Sequence, residues 1–155
     1  LLAEQKLRGA HHLGHDCVLA FLDVDGLKKV NDEQGHDVGD RLIKDVARVL
    51  RTIRCESDIL ARIGGDELCV MVTESGGGAG SLDEVSREET SLKERLALAF
   101  GNFNATSDRP YRLSASIGLV RAPVSDAANL DELLARADEL MYAEKRAGPN
   151  SRLVG

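Results

Sequence analysis

Cys17-Val18-Leu19-Ala20-Phe21-Leu22 is an uninterrupted apolar run, the pattern of a central strand buried on both faces. Further on, Val38, Leu42, Val46, Val49, Leu50 and Ile53 recur at the spacing of one buried helix face, predicting a helix over 37–54. A shorter helix over 26–33 precedes it. Two apolar runs, Ile59 to Ile63 and Leu68 to Val72, flank Gly64-Gly65-Asp66-Glu67 and predict a β-hairpin, with glycine supplying a positive φ at the turn. Ser81-Leu82-Asp83-Glu84 is a capping box for a third helix that runs to about Phe100 and stops at Gly101. Leu113, Ala115, Ile117 and Leu119 alternate with Ser114, Ser116 and Gly118, predicting a strand over 112–120. A last helix starts near Asn129 and buries Leu130, Leu133, Leu134, Ala137, Leu140 and Met141; Lys145 and Arg146 close it before Gly148-Pro149. Residues 1–10 read as the end of another helix.

The order strand, helix, helix, hairpin, helix, strand, helix predicts an α+β domain with helices packed over a mainly antiparallel sheet. Its 155 residues suit a single domain, and 43% hydrophobic with 30% charged residues is the balance of a globular protein. No apolar run approaches the ~20 residues that span a bilayer. A net charge of −6, with Lys and Arg scattered rather than blocked, makes a nucleic-acid partner a poor fit. Cys17, Cys55 and Cys69 are odd in number and lack CxxC spacing, so they read as reduced, mostly buried thiols of a cytosolic protein. The chain begins at Leu1 rather than Met and is expected to be a piece of a longer protein.

The candidate chemistry is acidic. A hairpin turn needs small residues, but it does not need Asp66 and Glu67 side by side. Asp23 and Asp25 sit at the end of the first strand, and their spacing places them on one side of it. Acids at the end of a buried strand are costly unless solvated, paired or bound to a cation. Asp25 alone could cap the following helix; Asp23 has no such use. If the first strand neighbours the hairpin, Asp23 faces Asp66 and Glu67, and these hard oxygen donors suit Mg²⁺ or Mn²⁺ shared with a nucleotide's phosphates. An EF-hand is excluded because Leu27 and Lys28 break its ligand pattern, and the Ser75–Gly80 glycine loop lacks the Lys-Ser/Thr ending of a P-loop. His11, His12, His15 and Asp16 could belong to a metal site or a histidine–aspartate phosphohydrolase motif, but they read as a polar loop, since the partners such a cluster needs do not follow.

Five segments resemble the GGDEF-domain diguanylate cyclase family in order and spacing. They are Leu22-Asp23-Val24-Asp25-Gly26-Leu27-Lys28-Lys29-Val30-Asn31-Asp32, Gly35-His36-Asp37-Val38-Gly39-Asp40, Arg62-Ile63-Gly64-Gly65-Asp66-Glu67-Leu68, Ser114-Ala115-Ser116-Ile117-Gly118, and the stretch from Ala137 to Lys145. The resemblance implies a palm-like, ferredoxin-related fold and the condensation of two GTP into cyclic di-GMP and two pyrophosphates. It implies that Asp23 and Asp66 ligate the metal, with the Val24 carbonyl and Glu67 assisting, and that Asp66 helps remove the proton of the attacking ribose 3′-hydroxyl. Asn31 and Asp40 would read guanine, His36 would lie beside the nucleotide, and Lys28 and Lys145 would contact phosphates. Gly64 and Gly65 would let the backbone approach the nucleotide. Each domain holds one GTP, so catalysis requires a transient homodimer. An N-terminal sensor or dimerisation domain is expected upstream, and the whole is expected to be a cytoplasmic domain, alone or in a membrane-anchored protein. A catalytically silent GTP-binding regulatory domain of the same fold is the alternative.

Departures from the family pattern are local. Leu68 stands in place of Phe, Gly26-Leu27 in place of a bulkier pair, and Pro149 in place of a basic residue before Asn150. The product-inhibition motif, Arg-x-x-Asp ending at Asp58, has Cys55 where Arg is required, so the inhibitory site is expected to be degenerate.

Overall fold

The computed structural model describes residues 16–53, 59–74, 82–122, 130–147 and 153–154. The described chain forms strand β1 (Asp16–Val24), helices α1 (Leu27–Gln34) and α2 (His36–Ile53), and the hairpin strands β2 (Ile59–Arg62) and β3 (Glu67–Glu74). Helix α3 (Leu82–Thr106), strand β4 (Ser114–Ala122), helix α4 (Leu130–Ala147) and the two-residue strand β5 (Leu153–Val154) follow. The strands lie in the order β2-β3-β1-β4-β5, and every described pairing is antiparallel. The predicted α+β architecture is the one observed.

The continuous apolar run of β1 is explained by helices on both faces of the sheet. Val18, Ala20, Leu22 and Val24 join Leu42, Val46 and Leu50 of α2 and Leu96 and Phe100 of α3 in one core. Cys17, Leu19 and Phe21 point the other way, against Leu133, Ala137 and Met141 of α4. Strand alternation therefore puts Asp23 on the α4 face. On β4, Gly118 lies against α4 so closely that a Cβ there would run into the Ala137 carbonyl and the Met141 amide. The missing side chain lets the helix settle directly on the strand.

Several boundaries differ from expectation. Helix α3 runs through Gly101 to Thr106, because Phe103 beyond the expected stop still packs on the core. Leu140 is 51% exposed rather than buried, since α4 turns Leu133, Ala137 and Met141 to the sheet, flanked by the partly buried Leu130 and Leu134, and Leu140 lies outside that face. Among the described residues the glycines with positive φ are Gly26 and Gly35, not the hairpin pair. The hairpin is closed instead by Arg62, whose guanidinium donates to the Gly64 carbonyl at 3.1 Å and to the Gly65 carbonyl at 2.6 Å. The expected first helix, the His11–His15 loop, the Ser75–Gly80 loop, Ser81, Cys55, Asp58 and Pro149 lie outside the described residues. Among the described residues no helix is long and apolar enough to cross a membrane.

Candidate active site

The site begins with the register of β1 and β3. Asp23 is the Cα partner of Glu67 on one side and of Ser116 on the other. The Val24 amide donates to the Asp66 carbonyl at 2.8 Å, so the hairpin turn is stitched to the end of β1. Asp23, Asp66 and Glu67 thus meet where the central strand leaves the sheet, as the apolar pattern and the acidic tip predict. Gly64 leaves room for the Glu67 carboxylate, which would lie 2.8 Å from a Cβ at that position.

Asp23 is buried, and Lys145 of α4 donates to its Oδ2 from 2.8 Å. Its other oxygen, Oδ1, is buried without a hydrogen-bond partner. Desolvation raises the Asp23 pKa above the usual carboxylate range; the Lys145 hydrogen bond opposes the rise, and the Asp66 charge adds to it. Lys145 in turn is held protonated more firmly than a free lysine, chiefly by its hydrogen bond to Asp23. Glu67 is also raised, by desolvation first and then by the charges of Asp66, Asp138 and Asp23. Asp23 and Glu67, both raised by burial and by the neighbouring acidic charge, mark a concentrated negative field, and a cation relieves such a field.

Among the described residues no three acidic, histidine or cysteine side chains converge into a complete metal cage. A Mg²⁺ site shared with substrate phosphates and water needs only one or two carboxylates. The buried, unpartnered Asp23 Oδ1 beside Asp66 is a hard donor of that kind, so the residues present fit such an ion.

The remaining candidates form a second group. Asn31, on α1, packs against the first turn of α2, where Gly39 has no Cβ that would overlap its side-chain amide. The Asn31 carbonyl accepts the Gly35 amide at 3.0 Å, which closes α1 onto α2. Asp40, His36 and Lys28 are exposed near that junction. No described side-chain hydrogen bond or ion pair links Lys28, His36 or Asp40 to the Asp23 group. Asp25 does not cap α1: the N-cap is Gly26, and Asp25 Oδ2 accepts from Ser114 Oγ at 2.7 Å.

Sequence reasoning missed three contributors. Arg62 shapes the turn, and its position two residues before the glycines was the available signal. Glu144 accepts the Ile117 amide at 3.2 Å, a pairing no local pattern predicts. Asp45 is fully buried in α2 and accepts from Arg109 Nε at 3.0 Å and Tyr111 Oη at 2.5 Å. An acid inside the apolar stripe between Leu42 and Val46 was a legible sign of a buried partner. Burial and that hydrogen bond raise the Tyr111 pKa.

A sheet of this order, with helices on both faces and an acidic hairpin beside the end of its central strand, defines a palm-like domain. Residues 2–151 match the model of the diguanylate cyclase GGDEF domain, and the chain belongs to that family. It is 32% identical over 138 residues to diguanylate cyclase DgcP of Escherichia coli, covering 88% of this chain and 38% of that protein. It is 32% identical over 147 residues to cyclic di-GMP phosphodiesterase NbdA of Pseudomonas aeruginosa, covering 95% of this chain and 18% of that protein. The chain therefore spans well under half the length of these curated relatives. The structure of an N-terminally truncated TpbB from Pseudomonas aeruginosa comprising only the GGDEF domain superposes with a TM-score of 0.75 at 26% identity, covering 94% of this chain and 80% of that one.

Proposed function

We propose that this chain is an active diguanylate cyclase domain, joining two GTP into cyclic di-GMP with release of two pyrophosphates. The observation that carries the reading is Asp23: a buried carboxylate with one oxygen unpartnered, opposite Glu67 in the sheet and beside Asp66. Asp23 and Asp66, assisted by the Val24 carbonyl and Glu67, would hold Mg²⁺ or Mn²⁺. When bound, the ion polarises the α-phosphate and lowers the pKa of the attacking 3′-hydroxyl. Asp66 accepts the proton of that hydroxyl. Lys28 and Lys145 neutralise phosphate oxygens, and the pyrophosphate departs in line. Asp40 accepts from the guanine ring N–H and amino group while Asn31 supplies an amide, His36 lies beside the nucleotide, and Gly64 and Gly65 allow its close approach. The two scissile bonds belong to two GTP on two domains, so a homodimer is the active form.

The deciding experiment is incubation of a forced dimer with Mg²⁺ and GTP, followed by mass spectrometry. Cyclic di-GMP that disappears in Asp66→Ala is expected. No product in either protein sinks the proposal. The likeness to NbdA, a protein named for the opposite reaction, favours a second reading, a silent GTP-binding regulatory domain. That reading predicts calorimetric GTP binding without turnover in the same forced dimers.

A further inference from the structure

Lys145 reaches Asp23 from the last turn of α4, and Glu144 beside it is engaged elsewhere. Its Oε1 accepts the Ile117 amide at 3.2 Å, and its Oε2 accepts from Lys93 Nζ at 3.2 Å. Ile117 lies in β4, whose outer edge pairs with β5, among the described residues, at Ser114 and Ala115. Lys93 lies on α3, which packs on the sheet face opposite α4. One carboxylate, only 10% exposed, therefore ties the end of α4 to β4 and to the helix on the far side.

The last turn of a helix lacks partners for its final carbonyls, and helix ends are the first parts to open. A lysine there is a long, flexible chain on a fraying base. Glu144 removes that freedom one residue before Lys145. With the base anchored, the Lys145 side chain runs over the sheet to β1 and places Nζ 2.8 Å from Asp23 Oδ2.

We infer that Glu144 is a positioning residue, which by clasping the end of α4 to β4 and Lys93 sets Lys145 over Asp23 and prepares the site for a triphosphate. The last clause rests on the proposed role of Lys145; the positioning itself does not. A merely structural clasp would lower stability and leave the lysine where it is.

The Lys145 ammonium signal in ¹H–¹⁵N spectra of the nucleotide-free protein, assigned by its loss in Lys145→Met, separates the two. Glu144→Ala is expected to move it toward the position of a solvated lysine. Glu144→Gln, which keeps an acceptor for the Ile117 amide, is expected to restore it. Calorimetry should show Mg²⁺–GTP binding weakened about tenfold in Glu144→Ala, the usual scale for a supporting-shell residue. No further loss is expected on a Lys145→Met background. An unchanged ammonium signal in folded Glu144→Ala protein overturns the inference. If the signal moves but neither Glu144→Ala nor Lys145→Met alters GTP binding, the positioning stands and the reading of the site falls instead. Should Glu144→Ala not fold, Lys93→Met removes one of the two contacts, and the same signal decides.

Discussion

Lys145 Nζ lies 2.8 Å from Asp23 Oδ2, bringing together residues 122 positions apart in the chain. The pair puts a cation on a carboxylate that burial disfavours and leaves Asp23 Oδ1 unmatched. The ionised Asp23 is therefore a net strain on the fold. Asp23→Asn keeps an oxygen for Lys145 and removes the charge, so thermal unfolding should occur at the same or a higher temperature. If Asp23 holds the metal as proposed, cyclase activity should fall at least about a hundredfold, since metal charge stabilisation is worth several kcal/mol. Lys145→Met leaves the carboxylate unpaired. The lysine side chain is 38% exposed, so the cost lies between surface and buried limits, about 1–2 kcal/mol. Denaturant unfolding of the double variant should recover most of that loss.

Much of this arrangement is legible in the chain, and the illegible part shares one cause. Periodicity gives β1, the buried face of α2 and the hairpin because each is a local property. The meeting of Asp23 with Asp66 and Glu67 follows once β1 and β3 are taken as neighbours. The Lys145–Asp23, Asp45–Tyr111 and Glu144–Ile117 contacts are not local, and no spacing rule reaches them. Gly101 misled because glycine stops a helix only where nothing beyond it packs, and Phe103 packs. Leu140 misled because it lies outside the face of α4 that packs on the sheet through Leu133, Ala137 and Met141. Gly64 and Gly65 misled in conformation but not in place, since Arg62 holds their carbonyls without a positive φ.

Gly39 offers a test of the guanine-reading role proposed for Asn31 that leaves stability nearly untouched. A Cβ there would overlap the Asn31 amide and press on Leu27 Cδ1, and both are side-chain ends that can swing away. Replacing a helical glycine by alanine otherwise gains about 0.5–1 kcal/mol. Gly39→Ala should therefore leave the unfolding midpoint nearly unchanged while displacing Asn31. GTP binding measured by calorimetry should weaken by about tenfold, the loss of roughly one good hydrogen bond of about 1.4 kcal/mol, with ATP affinity unaffected. Unchanged GTP affinity would remove Asn31 from guanine recognition.

Gly118 makes the opposite case, because the atoms in the way are backbone. A Cβ would press on the Ala137 carbonyl and the Met141 amide of α4, which cannot move without shifting the helix. Gly118→Ala should destabilise by about 3 kcal/mol, at the upper end of overpacking costs. Because α4 carries Lys145, the same variant should also weaken Mg²⁺–GTP binding at temperatures where it remains folded. Chemical denaturation and calorimetry on one preparation give both numbers.

Cys69 gives a pH signature for the packing of α4 on the sheet. Burial lifts its pKa from 9.0 to about 12. Between those values the thiol is ionised in the unfolded chain and protonated in the folded one. The folded state then holds the extra proton, so stability declines as pH rises, by up to about 1.4 kcal/mol per pH unit from this group. Below pH 9 the contribution is flat. Cys69→Ala removes the ionisation, and its stability from denaturant unfolding should fall less steeply between pH 9 and 11 than that of the native protein. The two slopes should be parallel below pH 9. Equal slopes above it would mean that the thiol reaches water, and that α4 does not seal this face of the sheet.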